Sequence, residues 1–208
     1  MAGVFHLLER LARQRDQGRA VTADQAARLG AALWPRAAEL DQAVAALADP
    51  CLALGMLRRV LVEGFRGNPG NRRPRDRDDP RLARDLLDFL RLFGRIRRDL
   101  PAYVDLPPEG VAAASLHGDG DWCDLCGQCC VLGGTVPTSP AGVDYPAYWY
   151  HAIAGQSLYP QPFCPFLFQT NDAPLFFCSI HAIKPLACAR FDRADCRRGA
   201  PFRGPAEH

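Results

Sequence analysis

Thiol side chains are the chemical feature of this 208-residue chain, which holds nine cysteines. Thiolates are nucleophiles and redox groups, and they are the preferred ligands of soft metals. Cys51 stands alone in a helical pattern and is predicted to be an inert buried residue. The other eight lie in the second half of the chain: Cys123, Cys126, Cys129, Cys130, Cys164, Cys178, Cys188 and Cys196. The chemistry is therefore expected in that half.

The densest motif is Cys123-Asp-Leu-Cys126-Gly-Gln-Cys129-Cys130, in which two C-x-x-C steps share Cys126. A two-residue gap lets the backbone curl so that both sulfurs face one ion, and the spacing recurs in zinc knuckles and iron–sulfur loops. Gly127 is expected to supply a positive φ and a close backbone approach. Cys129 and Cys130 are adjacent and awkward at one tetrahedral ion. They either serve two neighbouring centres, or one of them supports the ligands from outside.

The charge of this region indicates what the thiols bind. Residues 118–199 hold five basic and seven acidic side chains, so eight added thiolates would make the region strongly negative. Buried thiolates at that density need cations. All eight cysteines are therefore predicted as metal ligands, in two four-coordinate sites or in one cluster plus one ion. Zinc and iron both remain open, as mononuclear, dinuclear or iron–sulfur centres.

Other uses of the cysteines are less compatible with the sequence. The N-terminus, MAGVFHLLERLARQR, has no secretory signal pattern, so a cytoplasmic location is expected, where disulfides are rare. A redox C-x-x-C would need a strand-to-helix turn in a βαβ unit, and no such pattern surrounds Cys123 and Cys126. His151 and His181 are possible additional ligands, but eight thiols leave no need for them.

Residues 121–196 resemble the YkgJ-like cysteine-cluster family, a zinc- or iron-chelating domain with a C-x-x-C-x-x-C-C signature. Beyond the signature, Cys164-Pro165-Phe166-Leu167 resembles the C-P-x-L step of the family. Cys178-Ser-Ile180 followed by Pro185, Cys188 and Phe191 resembles its later segment. The resemblance implies metal binding through the eight cysteines. It implies no particular reaction, although a similar signature in a flagellin lysine methylase keeps an iron–sulfur cluster in consideration.

The chain departs from the family pattern at three positions. His181 stands where an aromatic residue is usual, Lys184 replaces the arginine before Pro185, and Ala189 occupies a position that is commonly arginine. A lost arginine would weaken a hydrogen bond to a thiolate, unless Arg190 takes over its role.

Residues 1–100 are predicted to form a helical bundle. Apolar residues recur at helical spacing from Phe5 to Ala12, and Thr22 with Gln25 forms a capping box for the next helix. Further helices are expected from about Pro35 to Ala48, from an Asp49-Pro50 cap to about Phe65, and from an Asp79-Pro80 cap to Leu100. Residues 67–80 lack large apolar side chains and are predicted to be a flexible loop.

The rest of the chain divides into a connector over 101–117, a cysteine domain over 118–200 and a tail over 201–208. Short strands are expected at Phe166–Phe168 and Leu175–Cys178, and a short helix at Tyr145–Ala154. The overall prediction is a mainly α protein whose helical bundle accompanies a small, irregular or α+β, cysteine-rich metal-binding domain. An aromatic band in that domain is predicted to be core and not a base-stacking surface. It comprises Tyr145, Tyr148, Trp149, Tyr150 and Tyr159.

Composition and motifs argue against several classes of function. The 25 basic residues are nearly balanced by 23 acidic ones, which argues against a nucleic-acid partner, and no apolar run is long enough to cross a membrane. No catalytic motif of a hydrolase, nucleotide-binding enzyme or zinc protease occurs. The sequence predicts a metal-binding protein in metal handling, sensing or redox. The alternatives are a structural metal site in a module whose helices bind a protein partner, and an iron–sulfur-dependent enzyme such as a methylase-like protein.

Overall fold

A computed structural model describes residues 4–35, 40–61, 81–116, 125, 127–131, 136–158 and 161–190. Within these ranges the chain is mainly α-helical, as predicted. Its elements in chain order are α1 (Val4–Asp16), α2 (Ala23–Leu33), α3 (Leu40–Ala48), α4 (Leu54–Leu61), α5 (Arg81–Asp99), α6 (Ala147–Ile153), β1 (Leu167–Gln169), β2 (Phe176–Cys178) and α7 (Leu186–Ala189).

The start of α2 is the capping box that the sequence predicts. The Thr22 hydroxyl accepts a hydrogen bond from the backbone N–H of Gln25 at 3.2 Å, and the Gln25 side chain accepts one from the N–H of Thr22 at 3.0 Å. The reciprocal bonds satisfy two N–H groups that have no partner within the helix, which fixes where the helix begins. α2 packs on α3, α1 packs on α4, and α3 packs on α5.

The predicted start of α4 is wrong by four residues. The helix begins at Leu54 instead of Pro50. The Cys51 carbonyl accepts a hydrogen bond from the Gln169 N–H at 2.9 Å, and Leu52 forms an isolated antiparallel bridge with Phe168. The backbone that local propensity assigns to a first helical turn is therefore used to extend the edge of the β1–β2 sheet.

The longest helix, α5, agrees with its predicted span to Leu100, which opens a short 3-10 turn. Its apolar face is fully buried and comprises Leu82, Leu86, Leu87, Phe89, Leu90, Phe93 and Ile96. The predicted end of α3 at Ala48 is also confirmed. The start predicted for α3 after Pro35, the predicted cap of α5 and the predicted loop over 67–80 lie outside the described residues.

The short elements of the second half follow their predictions within about two residues. β1 and β2 pair antiparallel, with Phe168 opposite Phe177 and Leu167 opposite Cys178. Tyr145 and Trp149 are buried, which confirms their assignment to the core, whereas Tyr159 lies outside the described residues.

The helical region and the cysteine region share one hydrophobic core. Phe89 of α5 packs on Phe163 with ring centroids 4.8 Å apart, and Phe93 packs on Phe168 at 5.3 Å. The Trp149 ring of α6 contacts Phe166 at 4.7 Å. The segment that carries Cys164 is thus fixed on the helices by aromatic contacts on both sides. None of the helices in the described ranges has the length and apolar character that a bilayer crossing requires.

Candidate metal centre

Five of the eight predicted ligands are described, and four separate segments bring them to one region. Cys129 and Cys130 lie in a 3-10 turn, Gln128–Val131, and Cys188 lies in α7. Cys164 precedes β1, and Cys178 is the last residue of β2. The other three predicted ligands, Cys123, Cys126 and Cys196, lie outside the described residues.

The loop before the 3-10 turn has the backbone that the sequence predicts. Gly127 has φ +73°, and a Cβ at that position would lie 3.0 Å from side-chain atoms of both Leu167 and Met56. Leu125 has φ +51°, and its carbonyl accepts a hydrogen bond from the Phe176 N–H at 2.7 Å. The expected close approach at Gly127 is confirmed, because the loop packs directly against α4 and the sheet.

Backbone hydrogen bonds connect the segments that carry the thiols. The Cys164 N–H donates to the Cys130 carbonyl at 2.7 Å, and the Leu167 N–H donates to the Cys164 carbonyl at 3.0 Å. Leu167 is in turn the register partner of Cys178. Cys130, Cys164 and Cys178 are consequently held by one continuous set of main-chain contacts.

The thiols themselves interact. The Cys129 and Cys130 sulfurs are 4.0 Å apart, and Cys164 lies near enough to Cys130 to raise the pKa of its thiol. Cys178 and Cys188 are close enough to one another, to Cys129 and to Cys164 for their charges to interact. Cysteines from four segments therefore form one group of thiols, the cysteine cluster: Cys129, Cys130, Cys164, Cys178 and Cys188.

The cysteine cluster has a half-buried side and an exposed side. Cys130, Cys164 and Cys178 are half-buried, whereas Cys129 and Cys188 are exposed. The neighbouring Cys129 and Cys164 thiols, together with burial, raise the pKa of Cys130 well above its usual value. Desolvation and the neighbouring Cys164 raise the pKa of Cys178. Without a cation, Cys130 and Cys178 therefore disfavour the thiolate form.

The exposed side differs in its electrostatics. The hydrogen bond from the Cys130 thiol, with a smaller contribution from Lys184, lowers the pKa of Cys129 to about 7. Desolvation of its sulfur raises the pKa of Cys188, although that residue as a whole is exposed, and Lys184 opposes the shift. Lys184 is the single lysine of the chain.

The two candidate histidines are both exposed. His151 is exposed in the last turn of α6. His181 is exposed, and its Nε2 lies 3.3 Å from the Lys184 amine, so this nitrogen faces a cation. Cys51 is fully buried, its thiol accepts a hydrogen bond from the Val111 N–H, and burial raises its pKa to about 11. Its predicted burial is confirmed.

In the part of the chain that the structure describes, no three His, Cys, Asp or Glu side chains are arranged to hold a metal ion. The five described thiols therefore do not make a metal-coordination site by themselves.

No family model, curated protein or solved structure matches this chain. The resemblance of residues 121–196 to the cysteine-cluster family accordingly stays a prediction.

Proposed function

We propose that this protein binds zinc or iron, the latter as ions or as an iron–sulfur cluster, and works in metal handling, sensing or redox. The observation that supports this function best is the cysteine cluster. Its five thiols come from four segments that main-chain hydrogen bonds help to bring together. All five are free thiols and not disulfides. In this proposal Cys123, Cys126 and Cys196 complete the ligand set.

The chemistry of the donors suits a soft cation. An all-sulfur set favours zinc, copper(I) or iron–sulfur clusters over magnesium or calcium. Cys130 and Cys178 are costly to ionise when no cation is present, because each thiolate would face other thiols at low solvation. A bound cation offsets that cost and supplies either Lewis acidity or electron transfer.

The packing favours metal handling over a purely structural metal site. Small domains that depend on a metal usually lack enough apolar core to fold alone. Here Phe163, Phe166 and Phe168 are buried next to the cysteine cluster and continue the core of the helices. Because aromatic burial already holds this segment in place, the fold does not depend on a bound metal. In this proposal the metal can therefore be exchanged without unfolding the protein.

Anaerobic purification followed by elemental analysis and a visible spectrum tests the proposal. Iron with acid-labile sulfide and a brown colour would identify a cluster, and colourless protein with about two zinc ions per chain would identify closed thiolate sites. A folded, metal-free protein that takes up neither zinc nor iron after reduction would contradict the proposal.

Substitutions connect the metal to the cysteine cluster. We expect Cys164→Ser and Cys178→Ser to reduce bound metal at least about tenfold at limiting metal, because each removes one thiolate ligand. Cys51→Ala is the matched control, since Cys51 is a buried cysteine outside the cysteine cluster. Equal metal content in all three variants, each folded by circular dichroism, would separate the metal from these thiols.

A further inference from the structure

A polar groove lies along the exposed side of α1. Its volume is about 490 Å³, and the residues that line it run from His6 to Arg19. Its described lining consists of three guanidinium groups, two carboxamides, one imidazole and one carboxylate. A volume of this size suits a small molecule, but most small-molecule sites are mainly apolar. This groove therefore favours a charged ligand.

The helical repeat of α1 positions two of the guanidinium groups. Leu7, Leu8 and Leu11 are buried in the core, whereas Arg10 and Arg13 are exposed on the other side of the helix. Side chains three residues apart are neighbours on a helix surface. The two guanidinium groups can therefore donate hydrogen bonds to one anion from the same side.

The third guanidinium group belongs to Arg19 and is positioned by the turn that ends α1. Gly18 has φ +71°, its N–H donates to the Arg15 carbonyl at 2.8 Å, and the Arg19 N–H donates to the Gln14 carbonyl at 3.0 Å. This pair of hydrogen bonds is a Schellman motif, in which glycine is favoured because φ is positive. The Arg19 Nη2 also donates to Gln17 Oε1. The turn thus folds the chain back on the helix and fixes Arg19 beside the groove.

Contacts with the next helix hold another part of the lining. The half-buried Gln14 donates from its Nε2 to Gln25 Oε1 at 3.0 Å, and Gln25 belongs to the capping box of α2. The same Nε2 donates to the Ala20 carbonyl. This part of the groove is therefore pre-organised by contacts within the chain, which reduces the cost of ordering it around a ligand.

The groove has an excess of positive charge. Three guanidinium groups and one carboxylate leave a net charge of +2, without counting His6. Glu9 Oε1 pairs with Arg13 Nη2 at 3.5 Å, whereas Arg10 and Arg19 form no ion pair with another described residue. Cations are favourable near the C-terminus of a helix, but this effect is confined to the last turn. Since Arg10 lies more than one turn before the end of α1, helix stability does not account for it.

We propose that this α1 groove binds a small anion through a diphosphate group, either the free ion or the diphosphate of a nucleotide. Guanidinium groups bind phosphate in a bidentate manner, and a diphosphate has enough oxygens for Arg10, Arg13 and Arg19 together. A single carboxylate has only two oxygens. This site does not involve the cysteine cluster, and the inference does not rest on the proposed function.

Isothermal titration calorimetry of the full chain with sodium diphosphate at low salt tests the α1 groove. Arg10→Gln and Arg19→Gln should each weaken binding about fivefold to tenfold, because each removes a charge-assisted donor. Glu9→Gln should instead strengthen binding about twofold to threefold, because it removes a repulsive carboxylate. Arg28→Gln is the matched control and should leave the affinity unchanged, since Arg28 is an exposed arginine of α2 outside the groove lining. Thermal unfolding confirms that the variants are folded.

A comparison of anions identifies the group that is recognised. Tighter binding of ADP than of free diphosphate would assign the α1 groove to a nucleotide, and equal or weaker binding would assign it to the diphosphate ion. The dicarboxylate malonate should bind at least about tenfold more weakly than diphosphate. Malonate binding as tight as that of diphosphate, or an equal loss of affinity in Arg28→Gln and Arg10→Gln, would overturn the proposal.

Metal analysis of the same samples separates this site from the cysteine cluster. Because metal ions also bind diphosphate, the comparison uses variants that carry the same metal content as the wild type. Differences in diphosphate affinity among them then report on the α1 groove. A wild-type protein that holds metal but binds no diphosphate would overturn the α1 groove alone. A wild-type protein that takes up no metal, yet binds diphosphate more tightly than Arg10→Gln does, would support the groove and contradict the proposed function.

Discussion

At the scale of single residues, the position of the thiols depends on a backbone turn that favours glycine. Gly127 combines φ +73° with a site where a Cβ would touch Leu167 and Met56 at 3.0 Å. Non-glycine residues rarely adopt this φ, and the neighbouring side chains leave almost no space. Cys129 and Cys130 follow directly, so any displacement of Gly127 moves them relative to Cys164.

We predict that Gly127→Ala lowers the free energy of unfolding by about 2 to 4 kcal/mol, because backbone strain adds to overpacking. It should also weaken metal binding. Gly142→Ala is the control, since Gly142 has φ +78° but no atom within 4 Å of a Cβ there. That variant should lose only about 1 kcal/mol from strain. Urea unfolding measures both, and equal losses would show that the contacts at Gly127 are unimportant.

At the scale of elements, local signals predicted most helices and missed the start of one. The capping box at Thr22 and the apolar periodicity of α5 depend on residues close together in the chain, so the sequence alone predicts these helices. The start of α4 is decided by Leu52 pairing with Phe168, a contact between residues far apart in the chain. Asp49-Pro50 carries a valid helix signal that this distant pairing overrides.

Helix α6 is attached to the end of α5 by a polar contact. The Tyr148 hydroxyl donates a hydrogen bond to Asp99 Oδ2 at 2.6 Å, and the Arg95 guanidinium lies 3.7 Å from the centroid of the Tyr148 ring. The hydrogen bond from Tyr148 lowers the pKa of Asp99, and burial with this bond raises the pKa of Tyr148 to about 12. The contact is therefore strongest when Asp99 is ionised.

We predict that Tyr148→Phe destabilises the metal-free protein by about 1 to 3 kcal/mol at neutral pH. The folded pKa of Asp99 is depressed, so this stabilisation is present above the unfolded value of about 3.9 and is lost as the pH falls through the folded value. Urea unfolding from neutral pH to about pH 3 should show the wild type and the variant converging.

Tyr103→Phe is the control for this prediction, because the Tyr103 ring packs on Trp149 at 4.7 Å while the bond to Asp99 stays intact. Its difference from the wild type should not change over the same acidic range. A Tyr148→Phe difference that is constant with pH would assign the effect to packing and not to the Asp99 carboxylate.

At the scale of the whole molecule, the sequence predicts which cysteines belong to one site but not how they are arranged in space. Spacing within 123–130 is local, whereas the approach of Cys164 to Cys130 depends on a main-chain hydrogen bond between distant segments. The division into an exposed and a half-buried side likewise depends on which segments the aromatic core covers. A pattern of cysteines contains neither piece of information, and the position of Lys184 follows from the same packing.

The hydrophobic core that the helices share with the cysteine region determines what metal removal should do. Phe89 and Phe93 of α5 pack on Phe163 and Phe168, which lie on both sides of Cys164 in the chain. Because these contacts do not involve a metal, chelation should leave the far-ultraviolet circular dichroism nearly unchanged. It should remove only the stabilisation that comes from ligand binding, about 3 to 4 kcal/mol for metal present at a few hundred to a thousand times its dissociation constant.

Hydrogen exchange before and after chelation locates the effect. Peptides from α5 should keep their protection, because their protection comes from burial against the aromatic segment, and peptides that contain Cys129, Cys130 and Cys188 should exchange faster. Cys164→Ser should resemble the chelated wild type and not change further when chelator is added. Cooperative loss of protection in α5 on chelation would instead mean that the metal holds the core together, and the structural alternative would replace metal handling.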